Sequence, residues 1–65
     1  MEDQNKLKSL RLRCGLTQKQ LAEKVGIPYQ TVQKYEKGEQ AVERMTLSMA
    51  AKYAKALNVM IEDLL

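Results

Sequence analysis

The chain has 65 residues, a net charge of +3, one cysteine and no histidine. A single cysteine excludes an internal disulfide bond and a multi-cysteine metal site. The absence of histidine removes the usual general base and the commonest zinc ligand. We therefore expect a single domain over residues 1–65 with a small core, no cofactor, no metal and no enzymatic activity.

Positive charge is concentrated in the first half of the chain. Eight of the eleven lysines and arginines lie between Lys6 and Lys37, where only two acids occur. This excess is typical of a nucleic-acid-binding segment, although on charge alone ordinary solvated helix faces are the better explanation. No apolar run approaches the roughly 18 residues of a membrane span, and the amino terminus lacks the apolar region of a signal peptide. We expect a cytoplasmic protein that does not bind membranes.

The first helix is predicted to run from Asp3 or Gln4 to Arg13, before a stop at Gly15. Its inner face carries Leu7, Leu10 and Cys14 at helical spacing. Arg11 shares this face, which is unusual for a charged residue. We interpret Cys14 as a small buried apolar residue rather than a reactive thiol, because the chain offers it no partner cysteine.

Two short helices joined by a tight turn are predicted over residues 17–36. Thr17 and Gln20 have the spacing of a capping box, which predicts the start of the second helix. Gly26 provides the turn, because glycine tolerates a positive φ, and Ala22 allows the helices to approach closely. The third helix is predicted from Pro28 or Tyr29 to about Lys37, with Val32 and Tyr35 facing inward and Gly38 as the stop.

The remainder of the chain predicts one longer helix and one short one. Residues 39–45 have no clear period and are interpreted as a loop, in which residues 41–45 could form a helical turn. Thr46 is a candidate N-cap for a fourth helix, which ends before Asn58. Its predicted inner face consists of Leu47, Ala50, Ala54 and Leu57. A final short helix contains Val59, Ile61, Leu64 and Leu65. The fold class is all-α.

This pattern resembles the Cro/phage-repressor-like (XRE) helix-turn-helix family over residues 7–65. The resemblance rests on Leu7, Leu10-Arg11, Gly15-Leu16-Thr17-Gln18, Leu21-Ala22, Gly26-Ile27, Val32, Tyr35-Glu36, Gly38, Ala54 to Leu57 and Glu62 to Leu65. It implies a compact five-helix, lambda-repressor-like domain that binds operator DNA, usually as a dimer. The sequence departs from the family in the loop at residues 39–45, at Asn58, where glycine is common, and at Met60, where a serine cap is common.

The third helix is the candidate reader of DNA bases. Its outward positions are Tyr29, Gln30, Gln33 and Lys34. Gln30 can pair with adenine N6 and N7, and Lys34 can donate to guanine O6 and N7. Tyr29 can contact a sugar, a thymine methyl group or a phosphate, and Gln33 is more ambiguous. A polar, solvated outer face would have the same composition.

A second group of residues is predicted to contact DNA phosphates. These residues are Gln18, Lys19, Thr31, Lys37 and Arg44. In the family, a glutamine at the position of Gln18 contacts a phosphate. The position suits an anion, because a helix N-terminus presents free N–H groups and a partial positive charge. Lys19 begins the second helix, Lys37 ends the third and Arg44 lies in the loop.

The resemblance implies that Arg11 and Glu36 form a structural salt bridge between the first helix and the end of the third. Val59, Ile61, Leu64 and Leu65 are assigned either to the core or to a homodimer surface, since a small domain without disulfides gains stability from association.

The sequence thus predicts a homodimeric protein that binds double-stranded DNA sequence-specifically and regulates transcription, most simply as a repressor. The alternative is an antitoxin-type or other protein-interaction module that also binds DNA.

Overall fold

The computed structural model describes residues 6–64, and within this range every regular element is helical. The α-helices are α1 (Lys6–Arg13), α2 (Gln18–Val25), α3 (Tyr29–Lys37) and α4 (Leu47–Leu57). Two short 3-10 segments cover Val42–Arg44 and Ile61–Leu64. The predicted all-α class is confirmed. The predicted start of the first helix at Asp3 or Gln4, and the terminal Leu65, lie outside the described residues.

The helix ends follow from local hydrogen bonds that the sequence predicts. The Thr17 hydroxyl accepts from the Gln20 backbone N–H at 3.0 Å, and the Gln20 side chain accepts from the Thr17 N–H at 2.9 Å, so the capping box is present. The Thr46 hydroxyl caps α4 by accepting from the Met49 N–H at 3.1 Å. Asn58 ends α4 with φ of 58°, as expected for a residue that tolerates left-handed backbone.

The core is formed where α2 packs between its neighbours. α2 contacts both α3 and α4, α1 contacts α3, and the second 3-10 segment packs on α4. The largest fully enclosed side chains are Tyr53, Leu7, Leu21, Leu57 and Val32. Ala22 is 3% exposed, which agrees with its predicted place at a close helix contact.

Two expectations about burial are wrong, and the predicted final short helix takes the 3-10 form. That helix covers Ile61–Leu64, and Asp63 caps it by accepting from the Met60 N–H at 3.0 Å. Leu47 is 76% exposed rather than on the inner face of α4, because it is the first residue of that helix and no element covers it. Cys14 is exposed rather than buried, although its Sγ donates to the Leu57 carbonyl oxygen at 3.2 Å.

One core residue was missed by the sequence reasoning. Tyr53 is completely buried, and its ring meets that of Tyr35 edge-on, with centroids 5.9 Å apart at an angle of 83°. Tyr53 lies at helical spacing from Ala50 and Leu57, on the predicted inner face of α4. That spacing could have predicted its burial. Within residues 6–64, no helix is both long enough and apolar enough to span a bilayer.

Candidate nucleic-acid interface

The turn between α2 and α3 sets the direction of the outer face of α3. Gly26 has φ of 87° and ψ of 36°, and its N–H donates to the Ala22 carbonyl at 2.8 Å. This left-handed backbone is readily available to glycine and costly for other residues. Val32 and Tyr35 are buried against the body of the domain, so the residues on the opposite side of α3 face outward.

The predicted base-reading residues differ in how freely they project. Gln30 and Lys34 are exposed, one helical turn apart, and neither side chain makes a hydrogen bond or ion pair within the described chain. Tyr29 and Gln33 are half-buried, and the Gln33 Nε2 donates to the Tyr29 hydroxyl at 3.1 Å. Lys19, at the start of α2, places its Nζ 5.5 Å from the centroid of the Tyr29 ring.

The start of α2 combines free backbone donors with a tethered amide. The capping box engages the N–H groups of Thr17 and Gln20, and no other described residue accepts from the N–H groups of Gln18 and Lys19. The Gln18 Nε2 donates to Glu36 Oε1 at 3.1 Å. Because a side-chain amide carries two N–H donors, the second donor of Gln18 remains available to an anion.

Beneath this surface lies a charged network. The Arg11 Nε donates to Glu36 Oε2 at 2.7 Å, and the Nη2 donates to Oε1 at 3.1 Å. The Arg11 Nη1 donates to the Leu16 carbonyl oxygen at 2.8 Å. The two side chains are only 9% and 3% exposed, and with Gln18 the network joins α1, the start of α2 and the end of α3. The resemblance implied the Arg11–Glu36 contact, whereas the part played by Gln18 had no signal in the sequence.

The remaining predicted phosphate-contacting residues are more dispersed. Lys37 and Arg44 are exposed, and Thr31 is half-buried on α3. Arg44 belongs to the first 3-10 segment, and no hydrogen bond or ion pair of the described chain links it to α2 or α3. The structure thus brings Lys19, Tyr29 and Gln33 together, whereas Gln18 contacts Glu36 and Arg44 lies in a separate element.

A family model described as helix-turn-helix matches residues 7–64. The chain belongs to the helix-turn-helix family. The resemblance to XRE-type members that the residue pattern suggested is thereby confirmed.

This helix-turn-helix protein has similar relatives among bacteria and archaea. It is 42% identical over 59 residues to the uncharacterized HTH-type transcriptional regulator YgzD of Bacillus subtilis, covering 91% of this chain and 85% of the relative. It is 43% identical over 60 residues to an uncharacterized HTH-type transcriptional regulator of Methanocaldococcus jannaschii, covering 92% and 86% of the two chains.

A solved structure with the same fold is the restriction-modification controller protein C.AhdI from Aeromonas hydrophila. It superposes with a TM-score of 0.82 at 30% sequence identity, covering 94% of this chain and 88% of the controller. The arrangement of α2, the turn and α3 therefore belongs to a known helix-turn-helix architecture.

Proposed function

We propose that the protein is a transcriptional regulator that binds a specific double-stranded DNA sequence by placing α3 in the major groove. The main support for this proposal is that one side of α3 is buried while the other exposes side chains free to contact DNA. Gln30 and Lys34 project freely outward, while Val32 and Tyr35 anchor the opposite side of the helix. Membership of the helix-turn-helix family and relatives named as transcriptional regulators support the same role.

The base-reading chemistry follows from the two free side chains. The Gln30 amide offers one acceptor and a donor pair, which matches N6 and N7 of adenine. The Lys34 ammonium group is a donor only, which suits O6 and N7 of guanine. Tyr29 borders these residues and is also proposed to contact DNA, and Gln33 is hydrogen-bonded to the Tyr29 hydroxyl.

Binding to the DNA backbone is assigned to donors around this helix. The free N–H groups at the start of α2 suit a phosphate, and the proposed side chains are Gln18, Lys19, Thr31, Lys37 and Arg44. About five phosphate contacts give a slope of log affinity against log salt near −4 to −5 for each subunit, and twice that for a dimer.

The proposed mode of action is repression, since a protein bound at a promoter most simply blocks access of the polymerase. Under this proposal the protein acts in the cytoplasm, where its DNA target lies, and it catalyses no reaction.

We also propose that the protein acts as a homodimer. A mainly apolar groove of about 220 Å³ lies between the first 3-10 segment, the start of α4 and the second 3-10 segment, and its lining residues are Val42, Glu43, Met45, Leu47, Ala50, Ile61 and Leu64. Leu47 is 76% exposed and Met60 is 65% exposed. Of the residues first assigned to a dimer or core role, Leu64 is buried, whereas Val59 and Ile61 are half-buried.

A two-fold dimer would place two α3 helices about 34 Å apart, on half-sites one DNA turn apart. The groove is the proposed contact because burying exposed Leu47 on a second copy removes apolar surface from water.

Selection of bound sites from random duplex DNA tests the DNA-reading proposal. The wild-type protein should enrich one related set of sequences. Gln30→Ala should lose base preference at one position in each half-site while keeping the others. Failure of the wild-type protein to enrich any sequence would reject the proposal, and an unchanged preference in the variant would remove Gln30 as a reader.

Sedimentation at micromolar concentration tests the dimer. Leu47→Glu should shift the protein to monomer, because a buried carboxylate in the contact is costly. Leu12→Glu is the matched control, since Leu12 is also an exposed leucine, 54% exposed, but lies on α1 outside the groove. A monomeric wild-type protein, or equal effects of both substitutions, would reject this interface.

A further inference from the structure

Tyr29 is held on two sides by residues from different helices. Its hydroxyl oxygen accepts a hydrogen bond of 3.1 Å from Gln33, one turn further along α3. Its ring lies 5.5 Å from the Lys19 ammonium group at the start of α2, within the range of a cation–π interaction. Neither Gln30 nor Lys34 has such a tether, although both lie on the same helix.

The hydrogen bond from Gln33 determines what the Tyr29 hydroxyl can offer to a partner. A tyrosine hydroxyl has one donor hydrogen and accepts through its oxygen. The hydrogen prefers the plane of the ring, so only two orientations are open to it. The orientation toward Gln33 is blocked by the incoming N–H. The hydrogen is therefore directed away from the next turn of α3, as a donor.

We propose that Tyr29 donates its hydroxyl hydrogen to an acceptor atom on DNA, and that Gln33 is a positioning residue that orients this donor instead of reading a base itself. This inference rests on the proposed function. The acceptor is either a phosphate oxygen or an acceptor on a base edge. Two tethers reduce the side-chain freedom that Tyr29 loses on binding, which favours a defined contact.

A double-mutant cycle on a duplex selected by the wild-type protein tests the assignment. Tyr29→Phe removes the hydroxyl and keeps the ring beside Lys19, and Gln33→Leu removes the donating amide. Each change should weaken binding roughly threefold to tenfold, the range expected for one hydrogen bond. The double variant should bind no more weakly than Tyr29→Phe alone, because both changes remove the same oriented donor.

Gln30→Leu is the matched control, because it makes the same chemical change at a glutamine whose side chain makes no hydrogen bond to Tyr29. Combined with Tyr29→Phe, its effect should multiply. Thermal melting of each variant establishes that it is folded at the temperature of the binding measurement. If Gln33 had only a structural role, its substitution would lower the melting temperature. Coupling between Gln33 and the Tyr29 hydroxyl in DNA affinity, at an unchanged melting temperature, therefore indicates a positioning role.

The outcomes distinguish failure of the Tyr29–Gln33 inference from failure of the proposed DNA-binding function. If the effects of Tyr29→Phe and Gln33→Leu multiply, or if Tyr29→Phe binds as tightly as wild type, this inference is wrong while DNA reading by α3 stands. If the wild-type protein selects no sequence, the proposed function itself fails. Site selection with Tyr29→Phe identifies the acceptor: lost preference at one base pair indicates a base edge, and a uniform loss of affinity indicates a phosphate.

Discussion

Two parts of the chain differ in whether their buried polar groups have hydrogen-bond partners. The first is the helix-turn-helix part, residues 17–38, and the second is the part that follows it, residues 39–64. In the first part the buried carboxylate of Glu36 accepts from both Arg11 and Gln18. In the second part the buried hydroxyl of Tyr53 has no hydrogen-bond partner among the described residues. The outer surfaces differ too, being polar on α3 and apolar around Leu47.

The difference shows where the fold requires a definite geometry. A charged network is stabilising only when its partners are correctly placed, so it favours one relative arrangement of α1, α2 and α3. Apolar packing around α4 is less directional and tolerates a polar atom without a partner at some cost. The part proposed to read DNA is thus the part whose orientation is set by directional bonds.

The largest effect is expected from breaking the network. Arg11→Glu places a second carboxylate against nearly buried Glu36 and should destabilise the protein by about 3–5 kcal/mol. Arg13→Glu is the control, since Arg13 is exposed at the end of the same helix and should cost about 1 kcal/mol or less. Thermal denaturation followed by circular dichroism measures both. Adding Glu36→Arg to Arg11→Glu should restore part of the loss, and a wild-type melting temperature for Arg11→Glu would refute the structural role of the pair.

An intermediate effect is expected from the two left-handed helix ends. Gly26→Ala should cost about 1–2 kcal/mol, because a Cβ there meets nothing within 4 Å and the penalty comes from the backbone alone. Asn58→Gly, in the second part of the chain, should change the free energy of unfolding by less, about 0.5 kcal/mol, since Asn58 already accepts a φ of 58°. Urea denaturation compares the two, and a neutral Gly26→Ala would contradict this account of the turn.

The smallest effect is expected at the unpartnered hydroxyl. Tyr53→Phe should be neutral or stabilising by up to about 1 kcal/mol, because it removes a buried polar atom and keeps the ring that packs on Tyr35. A clear loss of stability would mean that the hydroxyl has a partner in solution.

The stability of Tyr53→Phe should also depend on pH differently from that of the wild-type protein. Burial, with a smaller contribution from the charge of Glu36, raises the pKa of Tyr53 above its ordinary value of 10.0. The folded state therefore favours the neutral phenol, so this group leaves stability unchanged below pH 10 and lowers it as the pH rises further. Tyr53→Phe should lose less stability than wild type between pH 10 and 11. Parallel alkaline unfolding curves for the two proteins would argue against this effect.

The helix ends could be predicted from the sequence, because they depend on residues that are close together in the chain. The capping box at Thr17, the N-cap at Thr46 and the left-handed ends at Gly26 and Asn58 each depend on residues within one helical turn. The sequence also identified the outward face of α3, because Val32 and Tyr35 mark the opposite side at helical spacing. The predicted contacts of these outward residues with DNA remain predictions for the experiments above.

The all-α class, the helix ends and the family could be predicted from the residues alone, because these follow from short-range hydrogen bonds, helical periodicity and a fixed set of spacings. The packed fold was needed to show that Cys14 and Leu47 are exposed, that Gln18 joins the buried Glu36 network and that Lys19 and Gln33 converge on Tyr29. Burial and side-chain partners could not be predicted in the same way, because they depend on which faces the helices present to one another.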